Sequence, residues 1–211
     1  MFNKVMDYLK KHIRENILIY SIVILCFLIG ISVGAFTVKI VDKHQKEELF
    51  YYLRDFFQLF YTNELSGGSI FRQSFMNNFQ LLTLSWILGL LIILAPLVLL
   101  IVSFKGFVIG FTVALLIEEF KFWGILLFLL GVFPQNLIII PIFIFAAVFS
   151  LAFSAAFIKI KLKKIKNTGF LKQLLPYSSL YGILIIMIIF ACFIESYIAP
   201  FLIRLIAGNL L

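Results

Sequence analysis

Apolar residues fall along this chain in long runs with short polar intervals, and one interval alone is wide. Residues 17–38 form the first run, without a single charged residue. Residues 39–78 are the one extended polar region, with basic and acidic residues in balance. Inside it Leu49, Leu53, Phe56, Phe57 and Phe60 recur at helical spacing with Glu48, Arg54, Asp55 and Gln58 between them, until Gly67 and Gly68 interrupt the pattern. This predicts an amphipathic helix lying on a bilayer surface or against a partner.

Further apolar segments follow at 79–103, broken by Pro96, and at 106–119, with the "SFKG" of residues 103–106 read as a tight basic turn between them. Residues 122–158 would make a helix of roughly 55 Å, far more than a hydrocarbon core of about 30 Å requires. A break at Pro134 is therefore expected, dividing a half-helix at 122–133 from a span at 137–158. A last span is expected at 177–195, and the apolar tail 196–211, with Pro200, is expected to bend back along or into the outer leaflet.

Counting sides orders these segments. The loop 159–172 carries Lys159, Lys161, Lys163, Lys164, Lys166 and Lys172 with no acid, and the first 16 residues are also basic. Basic loops favour the cytoplasm, whereas the balanced region 39–78 suits the outer side. The N-terminus is therefore expected inside, with residues 17–38 an uncleaved first span. A single crossing by 122–158, with 122–133 re-entrant, then returns the lysine loop to the cytoplasm. The expectation is an all-α polytopic membrane protein in a single domain, with about five transmembrane helices, a re-entrant or broken helix near Pro134 and an extracytoplasmic amphipathic helix. Runs such as 90–102 do not alternate, which excludes a transmembrane β-barrel.

Composition sharpens the class. Of 211 residues 63% are hydrophobic and 13% charged, with 26 phenylalanines. The net charge of +8 sits in two clusters beside apolar spans, so it reads as topology and not as a nucleic-acid surface. Cys26 and Cys192 lie inside apolar runs and His12 and His44 are far apart, so neither a disulfide framework nor a metal-ligand spacing is present. No nucleophile-base motif or phosphate-binding glycine loop is visible, so neither an enzyme nor a cofactor is expected.

Three sets of residues are candidates for function. Pro134, Gln135, Asn136 and Pro141 place polar and helix-breaking groups in a strongly apolar stretch. They either build a substrate or ion site at a broken helix, as in transporters, or hold the break together by capping it. The second reading is preferred. Glu118, Glu119 and Glu195 are expected near the outer interface, where carboxylates are ordinary. The small-residue spacings Gly30-x-x-x-Gly34 and Gly106-x-x-x-Gly110 permit close helix approach, including self-association as a homodimer.

The stretches "FMNNFQLLTLSWILGLLIILAPLVLLIVSFKGFVIGFTVALLIEE", "GILLFLLGVFPQNLIIIP" and "FIESYIAPFL" resemble the stage II sporulation protein M family. The resemblance runs over most of the chain, and "FKGFVIGF" with "GVFPQNL" is its most specific part. It implies a membrane scaffold for forespore engulfment, located in the septal or engulfing membrane. Two cell-wall hydrolases, stage II sporulation proteins D and P, would assemble on it from the extracytoplasmic side and remodel septal peptidoglycan. The helix at residues 49–60 and the turn at 118–124 are the surfaces expected to receive them. A transporter or channel with its site at Pro134–Asn136 is the alternative, and a hydrated cavity reaching Gln135 and Asn136 is the feature that would favour it.

Overall fold

The computed structural model describes residues 12–61, 66–162 and 170–207, and all its regular structure is helical. The helices are α1 (Ile17–Ile40), α2 (Lys43–Tyr61), α3 (Gly67–Leu90), α4 (Val98–Phe120), α5 (Phe122–Leu127), α6 (Phe133–Leu162), α7 (Phe170–Phe193) and α8 (Ala199–Ala207). Single π-turns, Phe128–Val132 and Ile194–Ile198, join α5 to α6 and α7 to α8.

The direction of each helix follows from which residues meet. Gly30 and Gly34 of α1 lie against Ser103 and Phe107 of α4, and Gly106 and Gly110 of α4 against Phe27 and Ile31 of α1. Both numbers rise together, so α1 and α4 are parallel and α3, between them in sequence, must run back through the bundle. Its partners agree: Ser85, and Ile92 just beyond its end, meet Ser150 and Ser154 of α6, running the same way, while Trp86 and Ser74 meet Ser178 and Cys192 of α7, running the opposite way. Among the described residues the chain thus traverses the bundle five times, in α1, α3, α4, α5–α6 and α7.

Four of these passes, Ile17–Ile40, Ala95–Phe120, Phe122–Lys159 and Gln173–Ile203, are long and apolar enough to cross a membrane. The remaining one, α3, is more polar because its buried face carries Ser74, Asn78 and Ser85 beside Leu82 and Leu88. Polar groups turned inward and apolar groups turned outward, such as Leu25, Ile29, Ile186 and Phe190, are what a lipid solvent requires. Leu82, Ile142, Phe143, Ala146, Val148 and Ile188 form the dry centre, and the alanines let α6 approach its neighbours closely.

Four expectations need correction. Residues 79–103 are not one span. Helix α3 ends at Leu90, and Pro96 opens the next helix within a short 3-10 turn, Ala95–Leu97, where its missing N–H costs nothing. The "SFKG" turn is absent: Ser103 to Gly106 lie within α4, continuously hydrogen-bonded and packed on α1. The half-helix at 122–133 is not re-entrant, because α5 passes through the π-turn into α6 as one run. The sharp reversal lies at Lys121, where φ is 51°. The tail after residue 195 does not fold back in the described residues either; it continues α7 through the second π-turn into α8.

Both π-turns stand just before a proline. Pro134 and Pro200 would each drive their ring into the carbonyl four residues earlier, that of Leu130 or Ser196, and each of those residues lies inside a π-turn. Widening the helix for one turn relieves the clash without breaking the helix. Residues 163–169 of the lysine loop and the first 11 residues lie outside the described residues.

Candidate functional site

Glu118 and Glu119 end α4 beside the amphipathic helix, and they do not join Glu195 in one acidic cluster. Lys46 Nζ lies 2.7 Å from Glu118 Oε1, and the Arg54 guanidinium grips the carboxylate of Glu119. The Glu119 side chain is 7% exposed and that of Arg54 68%, so the carboxylate is covered while the guanidinium stays in solvent. These pairs fix α2 across one end of the bundle. Leu53 turns inward against Leu116, Leu127 and Ile203. The opposite side of α2 displays Tyr51 and Tyr52, 70% and 69% exposed. Of the five candidate contact residues, then, Leu53 serves packing, Leu49 is half-buried and Phe56 exposed. The side chains of Phe57 and Phe60 lie outside the described residues.

Beneath α2 the helices part around a cavity of about 400 Å³. Leu53, Phe56 and Ile203 line its outer part, and Ser74, Asn78, Lys105, Gln135, Asn136 and Glu195 supply its polar surface. Gln135 and Asn136 reach it because α6 begins at the π-turn. Gln135 Nε2 donates to the Gly131 carbonyl at 2.6 Å and Asn136 Nδ2 to the Val132 carbonyl at 2.7 Å. These carbonyls belong to the widened turn, so the amides do brace the perturbed helix, as the preferred sequence reading has it. They also face a cavity, which that reading did not include. Pro141 is exposed on the outer face of α6 and touches neither feature.

Lys105 is the residue that sequence reasoning missed. It lies ten residues after Ala95 and fifteen before Phe120, or roughly 15 and 22 Å of helix rise, and so near the middle of the bundle. A lone ionisable group at that depth marks function by default. Its Nζ donates to Asn78 Oδ1 at 2.6 Å and sits 4.7 Å from the centre of the Phe143 ring. Asn78 Nδ2 in turn donates to the Ser74 carbonyl at 3.0 Å and approaches Ser74 Oγ at 3.4 Å, and Ser74 Oγ bonds the Glu195 carboxylate. One cation and one carboxylate therefore face the same space, held apart by a neutral amide and a hydroxyl. The signal was available: Ser74, Asn78 and Ser85 recur on one helical face, and Lys105 is the one charge between Leu90 and Ile117.

Deeper, a second polar cluster is closed. Ser150 Oγ donates to the Ser85 carbonyl at 2.9 Å and lies 2.6 and 3.1 Å from the hydroxyls of Tyr181 and Tyr177. Those hydroxyls donate to the carbonyls of Ala146 and Trp86. Every member has a partner, so this knot ties α3, α6 and α7 together and offers nothing to a ligand. No group of three or more potential metal ligands occurs among the described residues.

A family model described as stage II sporulation protein M matches residues 23–200. No curated protein and no solved structure matches.

Proposed function

The chain belongs to the stage II sporulation protein M family, a multi-pass membrane protein of a sporulation family, and from that premise we propose that it is a non-catalytic scaffold for septal peptidoglycan remodelling. In this reading its N-terminus is cytoplasmic, α2 lies on the extracytoplasmic side, and the wall-cleaving partners, stage II sporulation proteins D and P, dock there. The observation that supports it is the fixed posture of α2. An amphipathic helix that only floated on lipid would need no ion pairs, whereas Lys46–Glu118 and Arg54–Glu119 hold it in one orientation. Tyr51 and Tyr52 are thereby presented together, and tyrosines are the side chains that most often anchor protein interfaces.

The double substitution Tyr51→Glu, Tyr52→Glu is expected to lower co-purification of the two hydrolases from sporulating cells by about tenfold or more. The unfolding temperature of the purified chain should stay unchanged, because both rings are exposed. Undiminished recovery of the hydrolases would contradict the reading.

The homodimer expectation has lost its motive, since both glycine spacings are used within the chain, between α1 and α4. The transporter reading is favoured by one observation, the cavity that reaches Gln135 and Asn136. A scaffold does not exclude a ligand site, and the two are separable by experiment.

A further inference from the structure

We propose that the cavity between α3, α4, α6 and the π-turn that leads into α8 binds a small zwitterion of amino-acid type, with its carboxylate on Lys105 and its ammonium group on Glu195 and Gln135. This goes beyond the scaffold reading and does not depend on it.

Three observations carry the inference. The first is the separation of charge. An ammonium and a carboxylate in a low-dielectric interior are least costly when they meet directly. Here no ion pair between Lys105 and Glu195 occurs among the described residues; each is bonded instead to a neutral side chain, Asn78 or Ser74. The cavity thus has a positive and a negative pole. A simple anion would be repelled by Glu195 and a simple cation by Lys105, whereas a zwitterion matches both and leaves the site neutral.

The second observation is an acceptor with no donor. Gln135 is 5% exposed, and its Nε2 is committed to the Gly131 carbonyl, which fixes the other amide atom as the oxygen. Among the described residues nothing donates to that Oε1. An unmet buried acceptor is costly, so one that lines a cavity is suited to a ligand N–H.

The third is size and placement. About 400 Å³ lies at the lower end of ordinary ligand pockets, roughly 300 to 1,000 Å³, and suits a free amino acid or a dipeptide. Leu53, Phe56 and Ile203 line the end covered by α2, whereas Asn78 and Lys105 lie further in along α3 and α4, beside Ile109 and Ile139. A lipid would place its headgroup the other way round.

The test is thermal unfolding of the full chain in lipid nanodiscs, with alanine and alanyl-alanine as probes in separate arms. N-acetylalanine lacks the ammonium group and alaninamide the carboxylate, and both serve as comparisons. At saturation at least one zwitterion is expected to raise the unfolding temperature by about 2 °C or more, with neither comparison compound doing so. Lys105→Met and Gln135→Met should each abolish the shift; Gln135→Met keeps the side-chain volume, and the ligand comparison on the unaltered chain needs no variant. The proposal is overturned if neither zwitterion shifts the transition, if N-acetylalanine or alaninamide shifts it equally, or if the shift survives in both variants. None of these outcomes bears on hydrolase docking, since no partner is present.

Discussion

Replacing Gly34 by isoleucine, or Gly110 by leucine, is expected to prevent recovery of a folded, monodisperse protein. A Cβ at Gly34 would overlap the backbone carbonyl of Phe107, and one at Gly110 that of Ile31. These obstacles are main chain on a facing helix, not the flexible end of a side chain, so the only relief is to move α1 and α4 apart. Helices in lipid associate through close packing and not through a hydrophobic drive, and losing this close backbone contact removes what holds that pair. The cost is expected to exceed about 3 kcal/mol, beyond the usual penalty for overpacking. Even Gly→Ala at either site should be clearly destabilising. Gly182, where an added Cβ meets nothing within 4 Å, is the control, and Gly182→Ala should be neutral or stabilising by up to about 1 kcal/mol. Thermal unfolding followed by size-exclusion chromatography measures all of these. Equal tolerance at Gly34 and Gly182 would contradict the parallel α1–α4 packing.

The next largest effect is expected from Ser150→Leu. Ser150 is fully buried, and its Cβ lies 2.9 Å from where a Cβ on Gly89 would stand, so α3 and α6 leave no room for a longer side chain. Its hydroxyl also lies within hydrogen-bond distance of both tyrosine hydroxyls of α7. The substitution thus overpacks the closest part of the α3–α6 contact and leaves Tyr177 and Tyr181 each one partner short. A loss of about 3 kcal/mol or more is expected. Tyr181→Phe keeps the packing and removes only hydrogen bonds, which inside membranes are worth about 0.6 kcal/mol on average and at most about 1.7. It should cost no more than about 2 kcal/mol. If the two variants unfolded at the same temperature, the cluster would be serving hydrogen bonding alone and not close packing.

The all-helical class and the runs at 17–38, 137–158 and 177–195 were legible in the sequence because nothing but lipid explains so many consecutive apolar residues. The middle of the chain was divided wrongly for two physical reasons. Proline reads as a breaker at Pro96, where it begins a helix, and at Pro134, where a π-turn absorbs it. Helix α3 hid its identity because its polar residues face inward, the reverse of a helix in water. The same inversion concealed the site. Lys105 looked like part of a loop because a cation in the middle of an apolar run is easier to read as an interruption than as a buried group with partners. Gln135 and Asn136 were visible as anomalies, and their bracing role was readable from the adjacent proline. That they face Lys105 and Glu195 was not readable, since those residues lie 30 and 60 positions away from Gln135 and only the packing of α4 and the second π-turn brings them together. For α2 the apolar stripe was plain, but its inward use at Leu53 depends on ion pairs that no local pattern reveals.

The proposed docking surface requires α2 to lie on the extracytoplasmic side of the bundle. Single cysteines at Tyr51 and at Lys159, in a chain with Cys26→Ser and Cys192→Ala, test this directly. Intact cells would be treated with a membrane-impermeant maleimide before and after permeabilisation. Tyr51→Cys is expected to react in intact cells, and Lys159→Cys only once the membrane is opened. Reaction of both from the same side, or of Lys159→Cys alone in intact cells, would contradict the arrangement on which the proposed function rests.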